Sequence, residues 1–87
     1  FDEAAFADLC RVAVRMLDNV LDVTYWPLPQ QQEEARHKRR VGLGFTGLGD
    51  ALVMLGQRYD TPEARATARR LSEVMRDAAY EASVALA

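Results

Sequence analysis

Eighty-seven residues make one small domain at most, with a thin margin for a core. Hydrophobic residues at 49% and charged residues at 28% exclude a disordered tail. Thirteen acids against eleven bases, shared evenly by the two halves, give a net charge of −2; this argues against a nucleic-acid binder and against a basic membrane-surface module.

Charges interrupt every apolar run well short of the ~18 residues that a membrane span needs. The opening Phe1-Asp2-Glu3 has no basic stretch of a secretory signal and no initiating methionine, so an internal piece or a processed product is expected. Cys10 stands alone and cannot form an internal disulfide, which fits a reducing, cytoplasmic setting. One thiol and one histidine also make no zinc site.

The first element expected is an amphipathic helix over residues 2–22. Phe6, Leu9, Ala13, Met16 and Val20 recur at helical steps, with Cys10 and Leu17 beside them. Asp8, Arg11, Arg15, Asp18 and Asp22 form the opposing polar stripe, and Asp2 is the N-cap. Residues 23–29 break this pattern: Pro27 and Pro29 each push the preceding residue out of the α region, predicting an extended linker whose aromatics lie across a helix. Residues 30–40 read as a short polar helix with acids early and bases late, and Glu34 four residues before Lys38 favours an ion pair.

A glycine-rich turn follows at 41–49, and helical character resumes over about 46–55, with Phe45, Leu48, Leu52 and Leu55 on one face and Gly56 at the C-terminal cap. Some of these glycines are expected to permit tight backbone approach. The last helix, 62–86, starts clearly: Thr61 caps it, Pro62 takes the first position and Glu63 the first turn. Ala64, Ala68, Leu71, Met75, Ala78, Ala82 and Ala85 form a small-residue seam suited to a close partner helix. Arg69 and Glu73 have the spacing of an ion pair. The expected fold is all-α, four helical segments in a small bundle, with no strand and no internal repeat.

Several strings bear on chemistry. Gly42-Leu43-Gly44-Phe45-Thr46-Gly47 satisfies G-x-G-x-x-G, yet a charged run precedes it where a dinucleotide fold places a buried strand; Asp60 and Glu63 add little as ribose-binding acids. Close packing of the backbone is the favoured reading. Arg36-His37-Lys38-Arg39-Arg40 could grip phosphate, but Glu33 and Glu34 precede it, and a solvated helix end, or salt bridges to parts of a longer protein, is the better reading. Cys10 beside an apolar face reads as a small hydrophobe rather than a reactive thiol. Asp18 with Asp22, or Glu73 with Asp77, could hold a metal between helices, but the Glu-x-x-His partners of such sites are missing and solvation is favoured for these and for Glu81. No residue is assigned as catalytic, cofactor-binding or metal-ligating.

Three stretches in order, Leu17-Asp18-Asn19-Val20-Leu21-Asp22-Val23, then Trp26-Pro27-Leu28-Pro29, then Arg39-Arg40-Val41-Gly42-Leu43-Gly44-Phe45-Thr46-Gly47-Leu48-Gly49-Asp50-Ala51-Leu52, resemble an internal segment of ribonucleotide reductase large subunits. The resemblance continues through Tyr59-Asp60 into the last helix and is strongest to the adenosylcobalamin-dependent (class II) branch. It implies a parent oxidoreductase that makes 2′-deoxyribonucleotides by thiyl-radical chemistry around an α/β barrel. It also implies that the radical and reducing cysteines lie elsewhere, so residues 1–87, the glycine string included, are a single segment of the helical layer around that barrel, a scaffold inactive alone. Its expected partners are the remainder of the barrel, with self-association of the segment possible and with no nucleic acid or membrane. The alternatives are a free-standing helical interaction module and a small nucleotide binder using the glycine string with Arg39 and Arg40.

Overall fold

A computed structural model describes all residues from 1 to 87. It holds four helices and no strand: α1 (Glu3–Val23), α2 (Pro29–Lys38), α3 (Leu48–Met54) and α4 (Pro62–Leu86). No helix is long and apolar enough to cross a membrane.

The ends of these helices follow from local chemistry. Asp2 accepts the Ala5 amide at 2.9 Å to cap α1, and the Thr61 hydroxyl accepts the Ala64 amide at 3.2 Å to cap α4. Pro29, expected to close the linker, instead opens α2, where its missing N–H costs nothing. The extended linker is therefore residues 24–28. Trp26 folds back on α1, its indole N–H donating to the Leu21 carbonyl at 3.4 Å, while Tyr25 points into solvent. At the end of α3, the Gln57 amide donates to the Leu52 carbonyl at 2.8 Å and the Gly56 amide to the Val53 carbonyl at 3.0 Å. That paired closure requires a left-handed residue, and Gly56 supplies it at φ 70°.

The long helices α1 and α4 pack side by side and run in parallel. Arg70 grips Glu3 at 2.7 Å, and eight residues further along α1, Arg11 meets Glu81 at 3.1 Å. A parallel pair needs a crossover connection, and residues 24–61 supply it. Buried along the seam of the two helices are Cys10 and Val14 from α1 and Leu71 and Ala78 from α4, and Ala64 of α4 is buried where Leu52 of α3 lies against it. The alanine seam of α4 is used as expected up to the half-buried Ala82, while Ala85 is exposed.

The buried stripe of α1 differs from the expected one. Phe6, Cys10, Val14, Leu17 and Leu21 turn inward or lie half-buried, whereas Leu9, Met16 and Val20 face solvent. Helix α1 carries two adjacent apolar stripes, and hydrophobic periodicity cannot choose between them. Expected and observed ion pairs also diverge: Lys38 does bond Glu34 at 2.6 Å, but Arg69 makes no pair with Glu73, and it is the neighbouring Arg70 that reaches another helix.

The molecule is long and open. Its extents are 51 × 24 × 17 Å and its radius of gyration is 16.4 Å, against about 12 Å for a compact chain of this length. Its accessible surface is 6672 Å², where a folded protein of this mass exposes about 5,100 Å². Only 6 of 87 residues are buried, and the outer side of α1 shows Leu9, Val12, Met16, Val20 and Val23 to solvent. Such a surface suits a body that is covered on several sides.

Candidate functional site: the Arg39 clamp and the glycine string

Asp18 and Asp22 lie one turn apart on α1 and so share a face. Helix α2 stops at Lys38 because Arg39 takes the left-handed conformation, φ 45° and ψ 46°, two residues short of the expected end. That turn sends its guanidinium across to α1. Arg39 Nε donates to Asp18 Oδ1 at 2.9 Å, Nη2 to the Asp18 carbonyl at 2.9 Å, and Nη1 to Asp22 Oδ1 at 2.6 Å. The side chains of Arg39 and Asp18 are each 29% exposed, so this clamp is partly shielded from water. The hydrogen bond from Arg39 holds the Asp22 carboxyl below the usual carboxylate range, and the bonds to Asp22 and Asp18 raise Arg39 in turn.

This corrects the expected solvation of Asp18 and Asp22, which Arg39 pairs instead, and it takes Arg39 out of the expected solvated helix end into an ion pair within the chain. The i,i+4 carboxylates were the sequence signal for a cation partner; which cation, across 17 and 21 residues, was not legible. The rest of the basic run stays on the surface. His37 donates its Nδ1 proton to the Glu33 carbonyl at 2.9 Å, one turn back along α2.

Residues 41–47 run without helix or strand from the clamp towards the start of α1, where the Phe45 ring meets Phe6 edge-on with centroids 6.1 Å apart. A Cβ added at Gly42, Gly44, Gly47, Gly49 or Gly56 meets nothing within 4 Å, so the expected tight backbone approach does not occur within this chain. Only Gly47 (φ 80°) and Gly56 need glycine for their backbone conformation.

A phosphate cradle does not form either. Helix α2, not a strand, precedes the glycines; α3 is seven residues long and has Asp50 in its first turn, which repels an anion. Asp60 faces Arg58 at 3.4 Å and Glu63 accepts from Gln57 at 3.5 Å, so neither stands over the glycine string. On α4, Asp77 pairs with Arg76 at 2.7 Å and Glu81 with Arg11. No three His, Cys, Asp or Glu side chains converge where they could hold a metal.

Cys10 lies between α1 and α4 at 4% exposure, and burial pushes its thiol pKa upward against the weaker opposite pull of Arg11. It packs as a small hydrophobe, as its position on the helix suggested.

The fold and the site together define a helical protein segment, ordered by an ion-pair clamp and open along an apolar surface. Comparison with known sequences gives this segment its family. The sequence model of the ribonucleotide reductase barrel domain matches residues 1–87, and the chain belongs to that family of large subunits. It is 45% identical over 80 residues to a vitamin B12-dependent ribonucleoside-diphosphate reductase of Mycobacterium tuberculosis, covering 92% of this chain and 12% of that protein. A ribonucleoside-diphosphate reductase subunit alpha of Treponema pallidum is 40% identical over 86 residues, 99% of this chain and 10% of the relative. The large subunit from vaccinia virus is 33% identical over 87 residues, 100% of this chain and 11% of the relative. The chain thus spans about a tenth of the length of these curated relatives. No solved structure matches it.

Proposed function

We propose that this chain is a helical scaffold segment of a class II reductase, a whole protein that converts ribonucleoside diphosphates to 2′-deoxyribonucleotides with adenosylcobalamin as radical source. The observation that carries the class is the 45% identity to the B12-dependent mycobacterial enzyme, the highest among the three relatives described. The overall reaction replaces the 2′-hydroxyl by hydrogen and releases water, with two thiols giving up two electrons and two protons to become a disulfide. One cysteine cannot supply that dithiol, and Cys10 is buried and protonated besides. These residues are therefore read as inactive alone.

The residues present do not fit the cobalamin. The one histidine, His37, is exposed on a polar helix with no companion donor. In this reading the segment's partner is the remainder of the barrel, and the solvent-facing apolar stripe of α1 is the surface it covers. Detached from it, the segment would bury that stripe by self-association. The balanced charge supports neither a nucleic-acid nor a membrane partner, and the reducing cytoplasm is the setting proposed.

The test is an assay of the full-length protein with a ribonucleoside diphosphate and a dithiol, with and without adenosylcobalamin. Product formed only with the cobalamin is the expected result. Turnover that ignores cobalamin and needs a separate metal-containing subunit would overturn the class, and turnover by the 87-residue chain alone would overturn the scaffold role.

A further inference from the structure

Residues 25–38 leave the end of α1 and return to it. The clamp closes their neck, because Arg39 Nη1 reaches Asp22 Oδ1 at 2.6 Å while Arg39 Nε and Nη2 hold Asp18. The residues on either side of the excursion are thus bonded to each other, the arrangement of a surface loop whose ends meet.

Beyond this neck the excursion is loosely held. A single hydrogen bond joins residues 25–38 to the other helices, from the Trp26 indole to the Leu21 carbonyl at 3.4 Å. Only Trp26 and Ala35 are half-buried and the rest are exposed. Helix α2 buries no residue, and Leu28 caps it without a side-chain bond. A polar helix of ten residues is marginal by itself. Its own contacts, Lys38 on Glu34 and His37 on the Glu33 carbonyl, tie it to no other element.

An open cavity of about 560 Å³ lies beneath it, with Leu21 and Trp26 on one side and Gln31, Glu34, Ala35 and Lys38 of α2 on the other. Helix α2 therefore meets α1 across a gap and through a mostly polar face. The long helices, in contrast, share the buried seam of Cys10, Val14, Leu71 and Ala78.

We infer that residues 25–38 are a strap that opens as a unit, latched by Trp26, while the clamp and the α1–α4 seam stay formed. The free energy of opening differs between parts of one protein, and it is lowest where buried apolar contacts are fewest. Lifting the strap takes Trp26 away from the half-buried Leu21, which then joins the exposed Val20 and Val23 in one apolar patch at the end of α1. The strap is thus a built-in means of enlarging the apolar surface at one end of the molecule. Its opening depends on this chain's own contacts and is the same whichever radical source the whole protein uses.

The experiment is amide hydrogen exchange on the full-length protein, comparing α2 with the middle of α1 and of α4. The α2 amides are expected to exchange about a hundredfold or more faster than those flanking Cys10 and Leu71. Equal protection of the three helices would overturn the inference. Trp26→Ala is expected to speed exchange in α2 alone; no change there, or acceleration of all three helices alike, would overturn the latch. In a second variant four glycines replace residues 25–38, enough to join Thr24 to Arg39 across the closed neck at about 3.3 Å each. It is expected to keep a cooperative melting transition. Loss of that transition would show that the strap belongs to the body of the fold.

Discussion

Arg39 holds Asp18 twice, through the carboxylate and through the main-chain carbonyl, each at 2.9 Å. The second bond matters because it reads the backbone of α1, so the guanidinium fixes the end of α2 to a point on that helix and not merely to a mobile carboxylate. From this anchor the chain leaves along α1 towards Phe6. Substituting Arg39 by alanine removes the clamp and leaves a non-glycine residue in the left-handed region; Arg39→Gly removes the clamp but suits the backbone. Both variants are expected to lose helix content at lower denaturant than the parent, Arg39→Ala first, in denaturation followed by far-ultraviolet circular dichroism. Indistinguishable curves for all three would show that the clamp orders nothing.

Glycine substitutions are expected to split by backbone conformation. Gly56→Ala places a side chain at φ 70° and is expected to destabilise the chain by about 1–2 kcal/mol. Gly49→Ala lies inside α3 with open space around the new methyl group and is expected to stabilise the isolated chain by about 0.5–1 kcal/mol. Equilibrium denaturation of the two variants side by side reads the opposite signs.

Truncating the interface between the long helices is expected to cost more. Leu71 is 5% exposed and faces the α1 side of the pair, so Leu71→Ala is expected to lose about 2–5 kcal/mol. Leu9→Ala, on the solvent side of α1, is expected to change the isolated chain by less than about 0.5 kcal/mol. The same pair measured in the full-length protein reports whether Leu9 becomes covered there.

Cys10 is expected to react with a thiol reagent on the order of a hundred times more slowly in the folded chain than in denaturant. Burial raises its pKa, so the stabilisation from the neutral thiol is complete below the ordinary value of 9.0 and fades as the pH rises through the raised one. Labelling kinetics against denaturant concentration would check the first expectation.

The acid side has the opposite sign. Glu3 is lowered from 4.5 by its hydrogen bond to Arg70, and Asp22 and Asp77 are lowered from 3.8 by Arg39 and Arg76. A lowered carboxylate stabilises above its unfolded value and loses that contribution as the pH falls through the folded one. The midpoint of urea denaturation is therefore expected to hold steady above about pH 5 and decline below it, with Glu3→Gln flattening part of the decline. A midpoint independent of pH from 6 down to 3 would contradict these pairings.

The helices, their caps at Asp2 and Thr61 and the glycine closure at Gly56 were all legible in the sequence, because each depends on residues within about one helical turn. The family was legible as well, since its motifs are contiguous strings of residues. The Arg39 clamp, the parallel setting of α1 and α4 through Glu3 and Arg70, and the choice of the Cys10–Val14 stripe over the Leu9–Met16 stripe emerged only in three dimensions. Periodicity states how many faces of a helix are apolar, but which face is used depends on a partner tens of residues away. The same reason separates the glycines: those at 47 and 56 are explained by their own torsion angles, whereas those at 42 and 44 are explained by nothing inside the chain. Local hydrogen bonds and sterics act through sequence neighbours, while packing and ion pairing act through space, and only the folded arrangement brings those distant groups together.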